Sequence, residues 1–192
     1  MTGFRVEAVE TVATGGFLEL VEAQVAAPGD APGAPSLRRF VVRHPGAVVV
    51  VPVDADLQHV FCVRQYRVAI DAELLEVPAG KRDVEGEAPA DTARRELEEE
   101  IGRRAGRIVP LGEFYNSPGF TDEYTHLFCA LDLEELPERA TVTAEEDHMT
   151  IERVPLARLD EMIAAREIVD AKTIIGLALT RALLAAPVPP EA

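Results

Sequence analysis

Basic side chains are scarce in this chain: 19 Lys and Arg stand against 34 Asp and Glu in 192 residues, a formal net charge of -15 at pH 7. So acidic a surface repels polyanions, which argues against nonspecific binding to DNA, RNA or an anionic membrane. Cysteine is scarcer still. The two present, Cys62 and Cys129, do not make a disulfide framework, and each falls in a predicted strand where it reads as a small core residue. No apolar run approaches the roughly 20 residues that span a bilayer, so no membrane span is expected. The opening MTGFRVEAVETVATGG carries acids and lacks the basic start and apolar core of a secretory signal. Cytoplasmic residence is the expectation. A small phosphate-bearing ligand stays compatible with this charge, provided that local arginines or divalent cations reverse the field where it binds.

What is present fits one soluble α/β domain with an appendage: 47% of residues are hydrophobic and 28% charged. Phe17 to Val25 and LRRFVVRH read as strands on either side of the exposed loop AAPGDAPGAP, which predicts a small antiparallel β appendage over residues 1–45. The run AVVVVPV (Ala47 to Val53), the turn DADLQ and HVFCVRQYR (His59 to Arg67) predict a buried hairpin. LLEVPAG adds one short strand. Pro89 suits the first turn of a helix that should run to Ile101 and stop at Gly102. RIVPLGEFY, THLFCALDL and TIERVPL have strand character. LARLDEMIAARE then predicts a helix burying Leu156, Leu159 and Ile163, and AKTIIGLALTRALLAA a second, more apolar one. The main domain would cover residues 46–187, and residues 188–192 would be a frayed tail.

The stretch DTARRELEEEIG, residues 91–102, concentrates charge. On a helix Glu96 and Glu100 are four apart and Glu99 is three from Glu96, so these carboxylates share a face, with Ala93, Leu97 and Ile101 expected on the opposite one. Like charges so spaced cost roughly 0.2–0.5 kcal/mol per pair, which a stable fold tolerates, so a plain solvated face is one reading. The other is a site for a hard cation such as Mg²⁺ or Mn²⁺, which takes carboxylate and backbone carbonyl oxygens. The Gly-containing loop before the helix favours this second reading.

These residues resemble the Nudix hydrolase signature: a glycine, five residues, a glutamate, seven residues, then Arg-Glu-apolar-x-Glu-Glu-x-Gly. From Glu87 the match is complete, through Arg95, Glu96, Leu97, Glu99, Glu100 and Gly102. Two departures are present. Six residues, KRDVEG, separate Gly80 from Glu87, and Arg103 stands where an apolar residue is usual. The resemblance implies an α/β/α sandwich around a mixed β-sheet. It implies Glu96 and Glu100 as main metal ligands, Glu99 assisting, the Ala79 carbonyl completing the shell and Arg95 holding the carboxylates.

VRQYR, LLEVPAGK and Pro118, sixteen residues after Gly102, further resemble the ADP-ribose pyrophosphatase branch. That likeness implies hydrolysis of a nucleoside diphosphate sugar, ADP-ribose, to AMP and ribose 5-phosphate. It also implies a homodimer formed through the N-terminal strands. Arg67 and Arg39 would meet the phosphates, Arg39 across the dimer, although an edge-strand cation is an equal reading for Arg39. Glu76 would be a substrate-side acceptor or a structural carboxylate. Ser117, Gly119 and Glu123 would lie in the substrate loop, where SPG is equally a competent turn. The late acidic loop TAEEDHMT offers Glu146 as general base, with Glu145 next, and its His148 reads as a bystander. Other sugar nucleotides or dinucleotides are the alternative substrates, and a non-catalytic nucleotide-sensing module is a further alternative.

Overall fold

In the computed structural model, which describes residues 3–31, 36–139 and 148–186, the chain divides into two units: Met1–Gly46 with Phe114–Tyr124, and Ala47–Glu113 with Thr125–Ala192. The first unit is built on β1 (Arg5–Gly15), β2 (Leu18–Ala26) and β3 (Leu37–Arg43), paired antiparallel in that order. Gly16 turns the chain between β1 and β2 at φ 58°, a left-handed conformation that glycine adopts without steric cost. The sequence pattern missed β1. Its alternation is diluted by acids, and every one of its residues is exposed. Segment 114–124 joins this unit through β3: Val42 N–H donates to Phe120 O at 2.8 Å and Asp122 N–H to Val42 O at 3.3 Å.

The second unit holds seven strands and three α-helices among the described residues: β4 (Ala47–Pro52), β5 (His59–Arg67), β6 (Ala72–Glu76), β7 (Ala79–Lys81), α1 (Pro89–Ile101), β8 (Arg103–Tyr115), β9 (Tyr124–Glu135), β10 (Thr150–Pro155), a 3-10 turn (Leu156–Arg158), α2 (Leu159–Ala164) and α3 (Ala171–Ala185). Strands β8 and β9 run on into the first unit at their ends. One sheet has the order β7-β4-β9-β8 and the other β10-β5-β6. Because β4 pairs parallel with β9 and antiparallel with β7, the first of these sheets is mixed.

β4 explains the layering. All six of its residues are buried, as expected of a strand covered on both faces, where valine packs well. Val48 and Val50 pack with Ala93, Leu97 and Ile101 of α1. From the opposite face Val51, with Leu127 and Val77, crowds Gly176 of α3: a Cβ there would meet Val51 Cγ2 at 2.9 Å. Helix, sheet and helix thus form the expected α/β/α sandwich.

Three local expectations are corrected. β4 and β5 are not a paired hairpin; each joins a different sheet, and the chain turns back between them through the isolated bridge Val53–Val60 and the Asp54 N–H to His59 O bond at 2.9 Å. LLEVPAG is not one strand, because the chain leaves the first sheet partner after Glu76 and re-pairs at Ala79, with Pro78 unable to donate a ladder bond. The helix after β10 starts as a 3-10 turn, and it buries Met162 beside Leu156 and Leu159, with Ile163 only partly covered. Residues 188–192 lie outside the described residues. No helix is long and apolar enough to cross a membrane among the described residues.

Candidate active site

Helix α1 starts with Pro89 in its first turn and ends at Gly102 in the left-handed conformation, φ 62°, whose N–H bonds Leu97 O. Its inner arc buries Thr92, Ala93, Leu97 and Ile101 together with Glu96 and Glu100. The acids are therefore beside the apolar stripe and not opposite it, since adjacent helical residues are only about 100° apart. Glu96 and Glu100 are 7% and 4% exposed, which removes the reading of a solvated acidic face for these two. Glu98 points elsewhere and accepts from Arg104 Nε at 2.9 Å.

Arg95 organises the carboxylates. Its Nη1 donates to Glu96 Oε1 at 2.8 Å and Glu99 Oε2 at 3.0 Å, while Nε and Nη2 each reach Glu87 at 3.3 Å. Burial acts to lower the Arg95 pKa, but the bond to Glu87 and the charges of Glu96 and Glu99 outweigh it and raise it. Glu87 is held below the usual carboxylate range, first by the Arg95 hydrogen bond and then, against burial, by Thr92. Thr92 Oγ1 donates to it at 2.7 Å. One guanidinium thus answers three carboxylates.

The short strand β7 supplies the other wall. Ala79 N–H donates to Glu100 Oε2 at 3.3 Å. A Cβ on Gly80 would overlap the Glu96 carboxylate, so this strand approaches the helix only because residue 80 has no side chain. Among the described residues no three His, Cys, Asp or Glu side chains form a ready-made metal-ligand group. The fit to a cation rests on an all-oxygen donor set, suited to a hard divalent ion, with Glu96 and Glu100 buried against the backbone of β7.

A second ion pair lies in the same unit. Arg67 grips Glu76 with Nε and Nη2 at 2.7 and 2.8 Å, and Glu76 is 1% exposed. The hydrogen bond to Glu76 is the main cause of a raised Arg67 pKa, and the charge of Glu100 also contributes. Behind them Lys172 Nζ lies 3.8 Å from Glu76 and 2.6 Å from Asp170. Asp170 caps α3, accepting from Thr173 N–H at 2.8 Å. The sequence reading missed this support, although Asp-x-x-Thr before an apolar helix is a legible cap signal.

Four predicted substrate contacts belong to the first unit. Arg39 is exposed on β3 and donates to Arg38 O at 2.8 Å. Ser117 O accepts from Phe120 and Thr121 N–H at 3.1 Å each, closing a tight turn around Gly119. Glu123 O accepts from Asn116 N–H at 3.1 Å. Glu145 and Glu146 lie outside the described residues, and His148, just after them, is exposed. Cys62 and Cys129 are buried free thiols, pushed up by burial to about 12 and about 11 respectively.

Comparison with known proteins adds a family. Residues 42–174 match the NUDIX domain. The chain is 38% identical over 146 residues to an ADP-ribose pyrophosphatase of Bacillus subtilis, covering 76% of this chain and 77% of that one. It is 37% identical over 174 residues to an ADP-ribose pyrophosphatase of Mycobacterium tuberculosis, covering 91% and 81%. Among solved structures, the crystal structure of an ADP compounds hydrolase superposes with a TM-score of 0.75, at 24% identity and covering 94% of each chain, which supports the fold.

Proposed function

Because the chain belongs to the Nudix family, we propose that it is a metal-dependent hydrolase that cleaves ADP-ribose to AMP and ribose 5-phosphate. One observation carries the reading. Three carboxylates, Glu87, Glu96 and Glu99, are set about the Arg95 guanidinium, and a fourth, Glu100, accepts from Ala79 N–H beside the glycine that lets Glu96 approach the strand. Relatives with the ADP-ribose name on most of the chain's length support the substrate.

Glu96 and Glu100 would hold Mg²⁺, or Mn²⁺, with Glu99 assisting and the Ala79 carbonyl as a further oxygen. When bound, such a cation neutralises pyrophosphate charge and lowers the pKa of water. Arg95 keeps three glutamates from repelling one another and fixes their orientation. Arg67, locked by Glu76, would present what remains of its guanidinium to phosphate oxygens. Arg39, Ser117, Gly119 and Glu123 would complete the substrate contacts. Glu146, with Glu145 as the other candidate, would take the proton from the attacking water.

A homodimer is part of the proposal. Its support is the first unit, where Val6, Val9, Val12 and Phe40 are 60%, 49%, 52% and 52% exposed, more apolar surface than an isolated sheet usually shows water. Cytoplasmic residence rests on the two free buried thiols.

The test is release of AMP and ribose 5-phosphate from ADP-ribose, with and without Mg²⁺, by the wild type and by Glu100→Gln. Loss of a main metal ligand should lower kcat at least about 100-fold. Equal activity in the variant would refute the ligand assignment. Faster turnover of GDP-mannose, NADH or a diadenosine polyphosphate would move the substrate elsewhere within the family.

A further inference from the structure

The loop from Arg82 to Ala88 is one residue longer than the family signature, yet it delivers Glu87 to Arg95. Part of the answer is a turn: Glu87 N–H bonds Val84 O at 3.2 Å, with Gly86 at φ 78°. The rest is Arg82. This half-buried guanidinium donates from Nη2 to Glu87 O and from Nη1 to His126 Nε2, both at 3.4 Å. Its Nε is buried with no hydrogen-bond partner, and among the described residues no carboxylate forms an ion pair with it. A half-buried guanidinium whose hydrogen bonds go to two neutral acceptors is not an ordinary surface ion pair, although its charge is felt by the nearby Glu87 carboxylate.

His126 is built to receive it. Its side chain is 16% exposed, and Nδ1 lies 2.9 Å from Glu113 Oε1 on β8. Arginine can only donate, so in this contact His126 Nε2 is the acceptor, while Nδ1 faces Glu113. In register, His126 and Gly80 both pair with Val48, so the loop's anchor and its starting glycine lie in one row across three strands. The chain of contacts then reads Glu113, His126, Arg82, Glu87, Arg95, and finally Glu96 and Glu99.

We propose that Arg82 and His126 are positioning residues: they pin the long loop to the sheet so that Glu87 stays on Arg95, and through Arg95 they fix Glu96 and Glu99. This rests on the metal-dependent reading above. Neither residue touches substrate or metal.

The test uses the full chain as wild type, Arg82→Met, Arg82→Lys, His126→Phe and His126→Gln. Mn²⁺ binding is titrated by electron paramagnetic resonance without substrate, and kcat and KM for ADP-ribose are measured beside melting curves. Arg82→Met and His126→Phe should each weaken Mn²⁺ binding and kcat about tenfold while KM stays within about twofold, as loss of outer support around metal ligands does. His126→Gln, which keeps an acceptor near the Nε2 position, should recover most of the loss. Arg82→Lys, which lacks the fork, should not. Mn²⁺ binding and kcat within twofold of wild type in Arg82→Met would overturn the proposal. So would a raised KM with intact Mn²⁺ binding, which would make Arg82 a substrate contact. Should Arg82→Met fail to fold, the Phe and Gln variants of His126 decide, equal behaviour of the two counting against the proposal. A wild type that neither binds Mn²⁺ nor cleaves ADP-ribose would overturn the metal-site reading itself.

Discussion

Two acidic clusters in the second unit each close on one arginine, and they differ in what is left over. Around Arg95 stand Glu87, Glu96 and Glu99, with Glu100 on the next turn of the helix and 4% exposed. Around Arg153 stand Asp54 and Asp56, and Asp56 also engages His59 at 2.7 Å. The second cluster sets two carboxylates, more exposed than those of the first, against one guanidinium and caps a turn: Asp56 accepts from Gln58 N–H at 2.8 Å and His59 N–H at 3.1 Å. The first is over-supplied with negative charge, and it is placed where solvent screens little. Surplus buried charge needs a counter-charge, which is the mark of a site, whereas a small surplus on an exposed, hydrogen-bonded turn is screened by water and is structure.

The comparison breaks most sharply at Gly80. A Cβ there overlaps the Glu96 carboxylate, so Gly80→Ala must displace either the strand or the ligand. Mn²⁺ affinity and kcat should fall about 100-fold, at the upper end for disturbed support of a metal site, while a melting curve still reports a folded protein. Retained turnover would mean that the surplus charge has no catalytic use. Arg95→Lys should have a smaller effect. One ammonium cannot replace a fork that reaches three carboxylates. About a tenfold loss of kcat, with a higher Mg²⁺ requirement, is expected. In Arg153→Lys both quantities should stay within about twofold, since that arginine only pairs with the acids of an exposed turn.

The carboxylate helix was readable because its evidence is local: Pro89, the three glutamates and Gly102 lie within one element, and α1 has the expected bounds. Its burial was not readable. That Glu96 and Glu100 sit on the inner arc depends on β7 crossing over them at Gly80, a contact between separate elements. The false hairpin has the same origin. AVVVVPV and HVFCVRQYR are strands as expected, but β4 is drawn to β9, its paired residues 78 positions on, by a parallel ladder that no local turn signal announces. β1 escaped because a fully exposed strand need not alternate in hydrophobicity. Arg67 was read as a phosphate partner and Glu76 as a separate acceptor, and their mutual ion pair, between residues four apart along the β5-β6 ladder, was not foreseen. The pairing of those two strands, not their composition, sets that contact.

The smallest effect tests the exposed cluster on its own terms. Backbone N–H donation from Gln58, against burial, and then the bonds from His59 hold Asp56 down to about 2 from an ordinary 3.8. A value lower in the folded than in the unfolded state means that the ionised form stabilises the fold. That contribution is complete above about pH 4 and is lost as pH falls toward 2. Asp56→Asn removes the charge but keeps an acceptor oxygen for the turn. Its melting temperature should lie a few degrees below wild type at pH 7, and the two curves should converge as the pH is lowered through that window. Turnover of ADP-ribose at pH 7 should be unchanged. A constant offset at every pH would assign the effect to packing or hydrogen bonding, and a loss of turnover would make the Arg153 turn part of the site and end the distinction between the two clusters.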